Sequence, residues 1–246
     1  MYGMLKKKFG QNFLIDKNIL NKISILIEKK NLKIIEIGPG DGRLTENIIN
    51  YSPRKLKLIE IDDDLIPLLR KKFNSNSNVE IINEDILSYN IDEKVDLIIS
   101  NLPYNISSQI LVKICLLRYL PPMLLLMFQK EFAQRLLEKK LNSLNSLVGC
   151  FFKVKSNFIV SRNSFRPIPK VDSIVLSFSR KQEILLRNDE IERFIKFKQI
   201  LFSHKRKTLN NLLKNFEFQK SKYDLTKRVE DISLQQLIKI FRESSL

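Results

Sequence analysis

Short apolar runs alternate with segments of helical periodicity over about the first 140 residues of the chain. Four of the runs have the length of strands: KIIEI (33–37), LKLIEI (56–61), VEIIN (79–83) and VDLIIS (95–100). Helix-like segments follow three of them, and the run MLLLMF and the helix-like segment KEFAQRLLEKK come later. Continuous apolar strands separated by helices are typical of a parallel sheet covered on both faces. The pattern therefore predicts an α/β domain.

Two later runs, FFKVKSNFIV and VDSIVLSFSR, are longer and closer to strict alternation. They predict antiparallel strands added at one edge of the sheet. After about Arg180 the pattern changes, and residues 188–203, 205–215 and 233–242 predict helices with charged faces and no strands between them. We place a boundary near 182–187, which gives an α/β domain over 1–183 and a small all-helical domain over 184–246.

The charge of the chain is strongly positive, and this points to its partners. The 246 residues include 43 Lys and Arg against 27 Asp and Glu, a net charge of +16. Such an excess predicts a polyanionic partner, most often nucleic acid, with an anionic membrane surface as the rival. Drift in a genome rich in A and T is a third explanation. The 43% hydrophobic content excludes a disordered chain.

The cysteines and the amino terminus bear on compartment. Cys115 and Cys150 lie in apolar runs, which is typical of reduced core residues. There is one histidine and no CxxC pair, so we expect no metal site. No apolar stretch at the start is long enough for a signal peptide, and the run PPMLLLMF is too short to span a bilayer. We expect a cytoplasmic monomer that is not bound to a membrane.

The first candidate ligand site is the glycine-rich segment EIGPGDG (36–42), which follows the first strand and precedes a helix. Glycines such as Gly38 and Gly40 let the backbone approach a ligand closely. A dinucleotide fingerprint would have its third glycine at position 43, which is arginine. The GxGxG spacing after an acidic residue resembles S-adenosylmethionine-dependent methyltransferases more than dehydrogenases. The alternative is a tight turn that binds nothing.

Residues at the ends of the next two strands extend this site. Glu60 ends the second strand, where a carboxylate can accept hydrogen bonds from both hydroxyls of a ribose. Asp85 follows the third strand, where it can hold the amino group of an adenine or simply cap a turn. Ile61 and Ile86 can enclose an adenine ring, although either position also suits a core residue.

The second candidate site is SNLPYNIS (100–107), at the carboxyl end of the fourth strand. Ligands bind at that edge of an open parallel sheet. The run resembles the (N/D)PP(Y/F) motif of enzymes that methylate amino groups. The side-chain oxygen of Asn101 and the main-chain carbonyl of Leu102 can accept the two N–H groups of an adenine N6 amine. Pro103 restricts the backbone, and Tyr104 offers a ring for a flipped base. The alternative is an asparagine-capped helix start.

Together with EIGPG and NLPYNIS, three further stretches indicate a family: KFGQNFL (8–14), FRPIPKVDS (165–173) and HKRKTL (204–209). With them the chain resembles the ribosomal RNA small-subunit adenine dimethyltransferases. The resemblance implies a Rossmann-like class I methyltransferase sheet and S-adenosylmethionine as cofactor. It also implies dimethylation of the N6 atoms of two adjacent adenosines in the loop of a 3′-terminal hairpin of 16S rRNA. The expected partner is the immature small ribosomal subunit.

The same resemblance implies roles for single residues. Asn12 and Leu14 would close over the cofactor, and Phe165 would face Tyr104 across the target base. RNA phosphates would bind to Lys205, Arg206 and Lys207, for which the alternative is a solvated helix end. Contacts with the cofactor are implied for four residues: Gly38, Glu60, Asp85 and Asn101.

One segment departs from the family pattern. The family has Tyr-Gly followed by Leu-Ser where this chain reads NSLNSL (142–147), which leaves the geometry of that loop undetermined.

Two other functions stay open. The nearest alternative function is that of the macrolide-resistance methyltransferases, which modify one adenosine of the large-subunit RNA. A further alternative is a non-catalytic assembly or transcription factor with the same fold.

Overall fold

The structure is a computed structural model that describes residues 11–204 and 206–244. It divides into two compact units. The first contains the described residues up to Ala133 together with Val154–Arg180, and the second contains Gln134–Lys153 and the described residues from Lys181 onward.

A seven-stranded sheet forms the centre of the first unit, with strand order β4-β3-β2-β5-β6-β9-β7. Strands β2 to β6 pair in parallel, and β9 runs antiparallel to β6. The predicted mostly parallel sheet with an antiparallel edge is therefore confirmed. The strands are β2 (Lys33–Ile37), β3 (Lys55–Glu60), β4 (Val79–Asn83), β5 (Leu97–Asn101), β6 (Met123–Gln129), β7 (Phe152–Val160) and β9 (Ser173–Arg180).

Helices cover this sheet, and its central strands are buried along nearly their whole length. All of β2 except its first residue is buried, and so is all of β5 except its last. Asp16 caps the first helix by accepting hydrogen bonds from the backbone N–H groups of Asn18 and Ile19. The helices are α1 (Lys17–Ile25), α2 (Arg43–Ile49), α3 (Ile66–Phe73), α4 (Ser107–Cys115) and α5 (Lys130–Leu137), the last of which runs into the second unit.

A second, two-stranded sheet pairs β1 (Phe13–Leu14) with β8 (Phe165–Arg166) in antiparallel fashion, and the sequence pattern did not predict it. Next to it, Ile15 N–H donates to the carbonyl of Ser164 at 2.9 Å. Strands of two residues have no detectable hydrophobic period, so only the tertiary structure reveals them. The pairing fixes residues 11–14 beside the carboxyl ends of the large sheet.

The second unit is helical and contains α6 (Ser143–Phe151), α7 (Ile191–Ser203), α8 (Leu209–Leu212) and α9 (Leu234–Glu243). Short 3₁₀ turns lie at Asn188–Glu190, Lys220–Lys222 and Val229–Asp231. The rings of Phe194 and Phe197 on α7 pack against Phe241 on α9 at centroid distances of 5.2 and 5.5 Å. The predicted helices at 188–203 and 233–242 correspond to α7 and α9.

The helix predicted over 205–215 is wrong in extent, because the described helix covers only Leu209–Leu212. Thr208 instead forms an isolated bridge with Arg228, and the backbone N–H groups of Leu209 and Asn210 donate to carbonyls of Lys227 and Leu225. These partners lie far along the chain, so the local periodicity does not reveal them. Lys205 lies outside the described residues.

Residues 134–153 group with the helical unit, whereas the sequence pattern placed them in the α/β domain. The reason is α6, which contacts α7 and α9 and buries residues such as Leu144, Leu147 and Val148. Asn142 caps α6, and the side chain of Asn145 accepts in return from the Asn142 backbone N–H at 2.8 Å. The segment that departs from the family pattern therefore starts a helix with a capping box.

Candidate active site

A cavity of about 190 Å³ lies in the first unit at the carboxyl ends of β2, β3 and β5. Its walls come from residues 11–14, 36–41, 43–44, 59–61, 84–87 and 101–106, together with Leu20. The predicted site residues that line it are Asn12, Leu14, Gly38, Gly40, Glu60, Ile61, Asp85, Ile86, Asn101, Leu102, Pro103 and Tyr104. The structure thus gathers both candidate ligand sites in one cavity.

The glycine-rich segment turns sharply between β2 and α2. Gly38, Gly40 and Gly42 have φ angles of 64°, 60° and 81°, a region that residues with a side chain rarely adopt. At Gly40 space is also short, because an added Cβ would lie 2.8 Å from the ring of Phe13. Glycine is therefore required at position 40 by both backbone conformation and packing.

Glu60 joins the second strand to this glycine loop. One carboxylate oxygen accepts from the backbone N–H of Gly40 and the other from that of Asp62, both at 3.0 Å. The side chain is 5% exposed, and this burial raises the pKa of its carboxyl group. Each carboxylate oxygen has a further lone pair, so Glu60 can still accept hydrogen bonds from a ligand's hydroxyls.

Glu36 lines the cavity as well, and sequence reasoning noted it only as the acidic residue before the glycines. It is almost completely buried, and Thr45 Oγ1 donates to one of its carboxylate oxygens at 2.6 Å. Burial raises the pKa of Glu36 to about 8. Its position directly before a glycine turn was the available signal.

The loop after β4 forms another wall. Asp85 accepts from the backbone N–H of Leu87 at 2.9 Å, so it caps a turn while it faces the cavity. Lys113 of α4 donates from Nζ to the carbonyl of Leu87 at 2.9 Å and holds this loop in place. Ile86 is buried and Ile61 is 40% exposed, and both line the cavity.

Asn101 and Leu102 stand at the end of β5. Asn101 donates from Nδ2 to the main-chain carbonyl of Asn12 at 2.9 Å, and among the described residues nothing donates to its Oδ1. The helix that follows has Ile106 at its N-cap without a side-chain hydrogen bond, so Asn101 does not cap it. The asparagine-cap alternative is therefore wrong. The Asn101 Oδ1 atom is free to accept a hydrogen bond from a ligand.

The two predicted aromatic residues have different surroundings. Tyr104 lines the cavity, its hydroxyl lies 2.8 Å from Ser173 Oγ, and burial raises its pKa, so the phenol is neutral at neutral pH. Phe165 is fully buried in the core, pairs with Leu14 across β1 and β8, and does not line the cavity. The expected face-to-face arrangement of Phe165 and Tyr104 across a base is thus not the conformation of this structure.

Residues 11–14 lie across the cavity and are attached at several points. Gln11 Nε2 donates to Asp62 Oδ2 at 2.7 Å, and the Asn12 carbonyl accepts from Asn101. The pairing of Leu14 with Phe165 completes the attachment. The segment therefore connects the second and fourth predicted strands over the ligand space, and Gln11, which sequence reasoning did not single out, provides one of the connections.

The charge of the cavity lining is mainly negative. Glu36 is mainly protonated at neutral pH, and the other described acidic side chains are Asp41, Glu60, Glu84 and Asp85, against the described basic side chain Arg43. Arg43 pairs with Asp41 at 2.9 Å. Such a lining repels the phosphates of a dinucleotide and favours a ligand with positive charge. This charge distribution agrees with the GxGxG spacing in opposing a dehydrogenase.

The candidate RNA-binding residues belong to the second unit. Arg206 and Lys207 are exposed after α7, whereas Lys205 lies outside the described residues. No helix within residues 11–204 and 206–244 is long and apolar enough to cross a membrane. In the same part of the chain, no three His, Cys, Asp or Glu side chains are grouped so that they could hold a metal ion.

Solved structures share this architecture. A dimethyladenosine transferase from Plasmodium falciparum matches with a TM-score of 0.80 and 29% identity, over 93% of this chain and 95% of that one. The 23S rRNA methyltransferase ErmE matches with a TM-score of 0.75 and 24% identity, over 94% and 98%. At that identity ErmE supports the fold alone.

Sequence relatives match along nearly the whole chain. The ribosomal RNA small subunit methyltransferase A of Mycoplasma mycoides subsp. mycoides is 38% identical, over 96% of each chain. The protein of the same name from Pelagibacter ubique is 36% identical, over 99% of this chain and 98% of its own. The family model for ribosomal RNA adenine dimethylase matches residues 3–245. The chain therefore belongs to the ribosomal RNA adenine dimethylase family.

Proposed function

We propose that this enzyme transfers methyl groups from S-adenosylmethionine to the N6 atoms of two adjacent adenosines in the loop of a 3′-terminal hairpin of 16S rRNA, within the immature small ribosomal subunit. The observation that carries the proposal is the position of Asn101, Leu102 and Tyr104 at one end of a cavity whose other walls are acidic. The two relatives named as small-subunit methyltransferases support the choice of RNA.

The residues present fit S-adenosylmethionine. Its sulfonium and ammonium groups are positive, and the acidic lining favours such charges. Glu60 would accept from the ribose hydroxyls, and Asp85 would accept from the adenine amino group between Ile61 and Ile86. Asn12 and Leu14 would cover the bound molecule from residues 11–14. When bound, the cofactor supplies an electrophilic methyl group.

On the acceptor side, the residues orient a weak nucleophile. The lone pair of an adenine N6 amine is delocalised into the ring, so methylation requires that it point towards the methyl group. Asn101 Oδ1 and the Leu102 carbonyl would accept the two N–H groups and fix that orientation. The Pro103 carbonyl accepts from Ser107 Oγ at 3.0 Å, which keeps the turn rigid. Catalysis then depends on positioning rather than on a strong base.

Tyr104 would hold the target base by stacking. A base flipped out of an RNA loop stacks on an aromatic ring with a gain of roughly 1–3 kcal/mol. The neutral phenol of Tyr104 suits this role. Phe165 would take part only after leaving its buried position. The basic residues Arg206 and Lys207, together with Lys205, would bind RNA phosphates. An enzyme that acts on small subunits during their assembly would work in the cytoplasm.

The proposal is tested with Asn101→Ala and, as a matched control, Asn74→Ala at an exposed position away from the cavity. We expect Asn101→Ala to lower the rate of 16S rRNA methylation by about 100-fold or more, because a positioned polar contact to the reacting group is lost. Calorimetry should show a much smaller loss in cofactor affinity, which comes from the lost bond to the Asn12 carbonyl. Mass spectrometry of the RNA from purified immature small subunits gives the rate.

Three results would contradict parts of the proposal. Undiminished activity of Asn101→Ala would contradict the proposed role of Asn101 in orienting the N6 amine. Methylation of naked large-subunit RNA in place of small subunits would favour the macrolide-resistance activity. A wild-type chain that binds subunits but not the cofactor would be a non-catalytic assembly factor.

A further inference from the structure

Ser173 is one of the residues of the FRPIPKVDS segment to which the proposed function gives no role. It is the first residue of β9, is fully buried, and pairs with Gln129 of β6. Strand β9 lies between β6 and β7 in the large sheet. The side chain of Ser173 therefore extends from a hydrogen-bonded strand, whereas Tyr104 lies on a turn.

Tyr104 sits on a less restrained part of the chain, between the end of β5 and the start of α4. The main chain of this turn is held at the Pro103 carbonyl, which accepts from Ser107 Oγ at 3.0 Å and from Ile106 N–H at 3.3 Å. These bonds fix the backbone but do not set the two side-chain torsions of the phenol.

One contact restrains the far end of that ring. The Tyr104 hydroxyl lies 2.8 Å from Ser173 Oγ, and either hydroxyl can be the donor. Among the described residues, Ser173 is the hydrogen-bond partner of the Tyr104 side chain. Because Tyr104 lines the cavity and Ser173 does not, the bond leaves the ring face available while it fixes the direction of the ring's long axis.

We propose that Ser173 is a positioning residue for methyl transfer: through its hydrogen bond to the Tyr104 hydroxyl it fixes the position of the ring on which the target adenine stacks. The inference deepens the proposed function and depends on it. Ser173 touches neither the base nor the cofactor in this scheme. Its effect on the reaction passes entirely through the hydroxyl of Tyr104, and this gives the proposal a specific signature.

That signature is a double-mutant cycle of Ser173→Ala and Tyr104→Phe, measured by single-turnover methylation of immature small subunits. Each change alone removes the same hydrogen bond, so each should lower the rate by about 3- to 10-fold, the equivalent of one ordinary hydrogen bond. In the Tyr104→Phe background, Ser173→Ala should have no further effect. Ser173→Thr keeps the hydroxyl and should restore most of the rate.

Ser177→Ala is the matched control, because Ser177 lies on the same strand and its Oγ accepts from Asn157 Nδ2 at 2.7 Å. It should lose a comparable hydrogen bond without changing the methylation rate. Cofactor affinity, measured by calorimetry, should be the same in all variants. If Ser173→Ala fails to fold, Tyr104→Phe carries the test by itself, since it leaves β9 untouched.

The outcomes separate the two proposals. Rate losses that multiply in the double variant, or a Tyr104→Phe enzyme as fast as the wild type, would overturn the role of Ser173. A wild-type chain that does not methylate small subunits would instead overturn the proposed function.

Discussion

At the residue scale, Glu36 has a strongly shifted pKa among the carboxyl groups of the cavity. Burial raises its pKa from 4.5 to about 8. Between those two values the unfolded chain releases the proton while the folded protein keeps it. The contribution of Glu36 to stability is therefore greatest at low pH and is lost as the pH rises towards 8.

Glu36→Gln should remove this pH dependence, because the amide can still accept from Thr45 and never ionises. We expect the melting temperature of the variant to fall less than that of the wild type between pH 5 and pH 8. Thermal unfolding at several pH values measures it. Glu28→Gln, at an exposed position, should follow the wild type. Parallel pH profiles for Glu36→Gln and the wild type would show that Glu36 does not titrate in this range.

The candidate site was predictable at the residue scale because parallel strands bring their carboxyl ends together. Glu60, Asp85 and Asn101 all follow short apolar runs, and local sequence is enough to find them. Phe165 was not predictable, since its burial comes from the pairing of β8 with β1. Ser173 could not be linked to Tyr104 either, because their contact joins positions 69 residues apart.

At the element scale, the loop after β4 depends on α4 for its position. Lys113 Nζ donates to the Leu87 carbonyl, and burial lowers the pKa of Lys113 while the charges of Asp85 and Glu84 oppose that shift. The helix thus holds the wall that carries Asp85 and Ile86. A substitution on α4 that removes this hydrogen bond should therefore lower the affinity for the cofactor.

Lys113→Met should keep the aliphatic packing and remove the hydrogen bond. We expect the dissociation constant for S-adenosylmethionine to rise by about 3- to 10-fold, the equivalent of one hydrogen bond, with little change in the rate at saturating cofactor. Calorimetry and steady-state kinetics measure the two quantities. Lys29→Met, at an exposed position, is the control. An unchanged dissociation constant would mean that the loop holds its position without α4.

Elements with a clear period were predicted well, and those defined by distant contacts were not. Strand β2 has the predicted bounds, and β4 does as well. Helix α6 was missed because its capping residues, Asn142 and Asn145, resemble a polar loop in sequence. The period of an apolar run shows what an element is, but not which unit it joins.

At the scale of the whole molecule, the net charge of +16 does not come from the cavity, because the cavity lining is acidic. The positive charge therefore lies on other surfaces, where RNA phosphates are the natural partners. The tail cluster of Lys205, Arg206 and Lys207 is the candidate that the sequence identified.

Changing Lys205, Arg206 and Lys207 together to alanine should weaken binding to small subunits and reduce its salt dependence. Each lost phosphate contact should lower the slope of log K against log salt by about 0.7–0.9. Binding measured at several salt concentrations gives the slope. The control changes Lys22, Lys29 and Lys30, which removes the same charge from the first unit. Equal slopes for both variants would assign the effect to net charge and not to this cluster.

The pairing of β1 with β8 has a consequence for the order in which the protein is made. Ser164 donates to Asp16 across 148 residues of sequence, and Leu14 pairs with Phe165 beside it. During synthesis the amino-terminal segment leaves the ribosome early but must wait for most of the chain before its partner strand exists. A nascent or truncated chain that ends before residue 164 therefore lacks the strand pairing of residues 11–14, which are then held over the cavity only by the bonds of Gln11 and Asn12. The full ability to retain a cofactor should thus be reached late in translation, when that partner emerges.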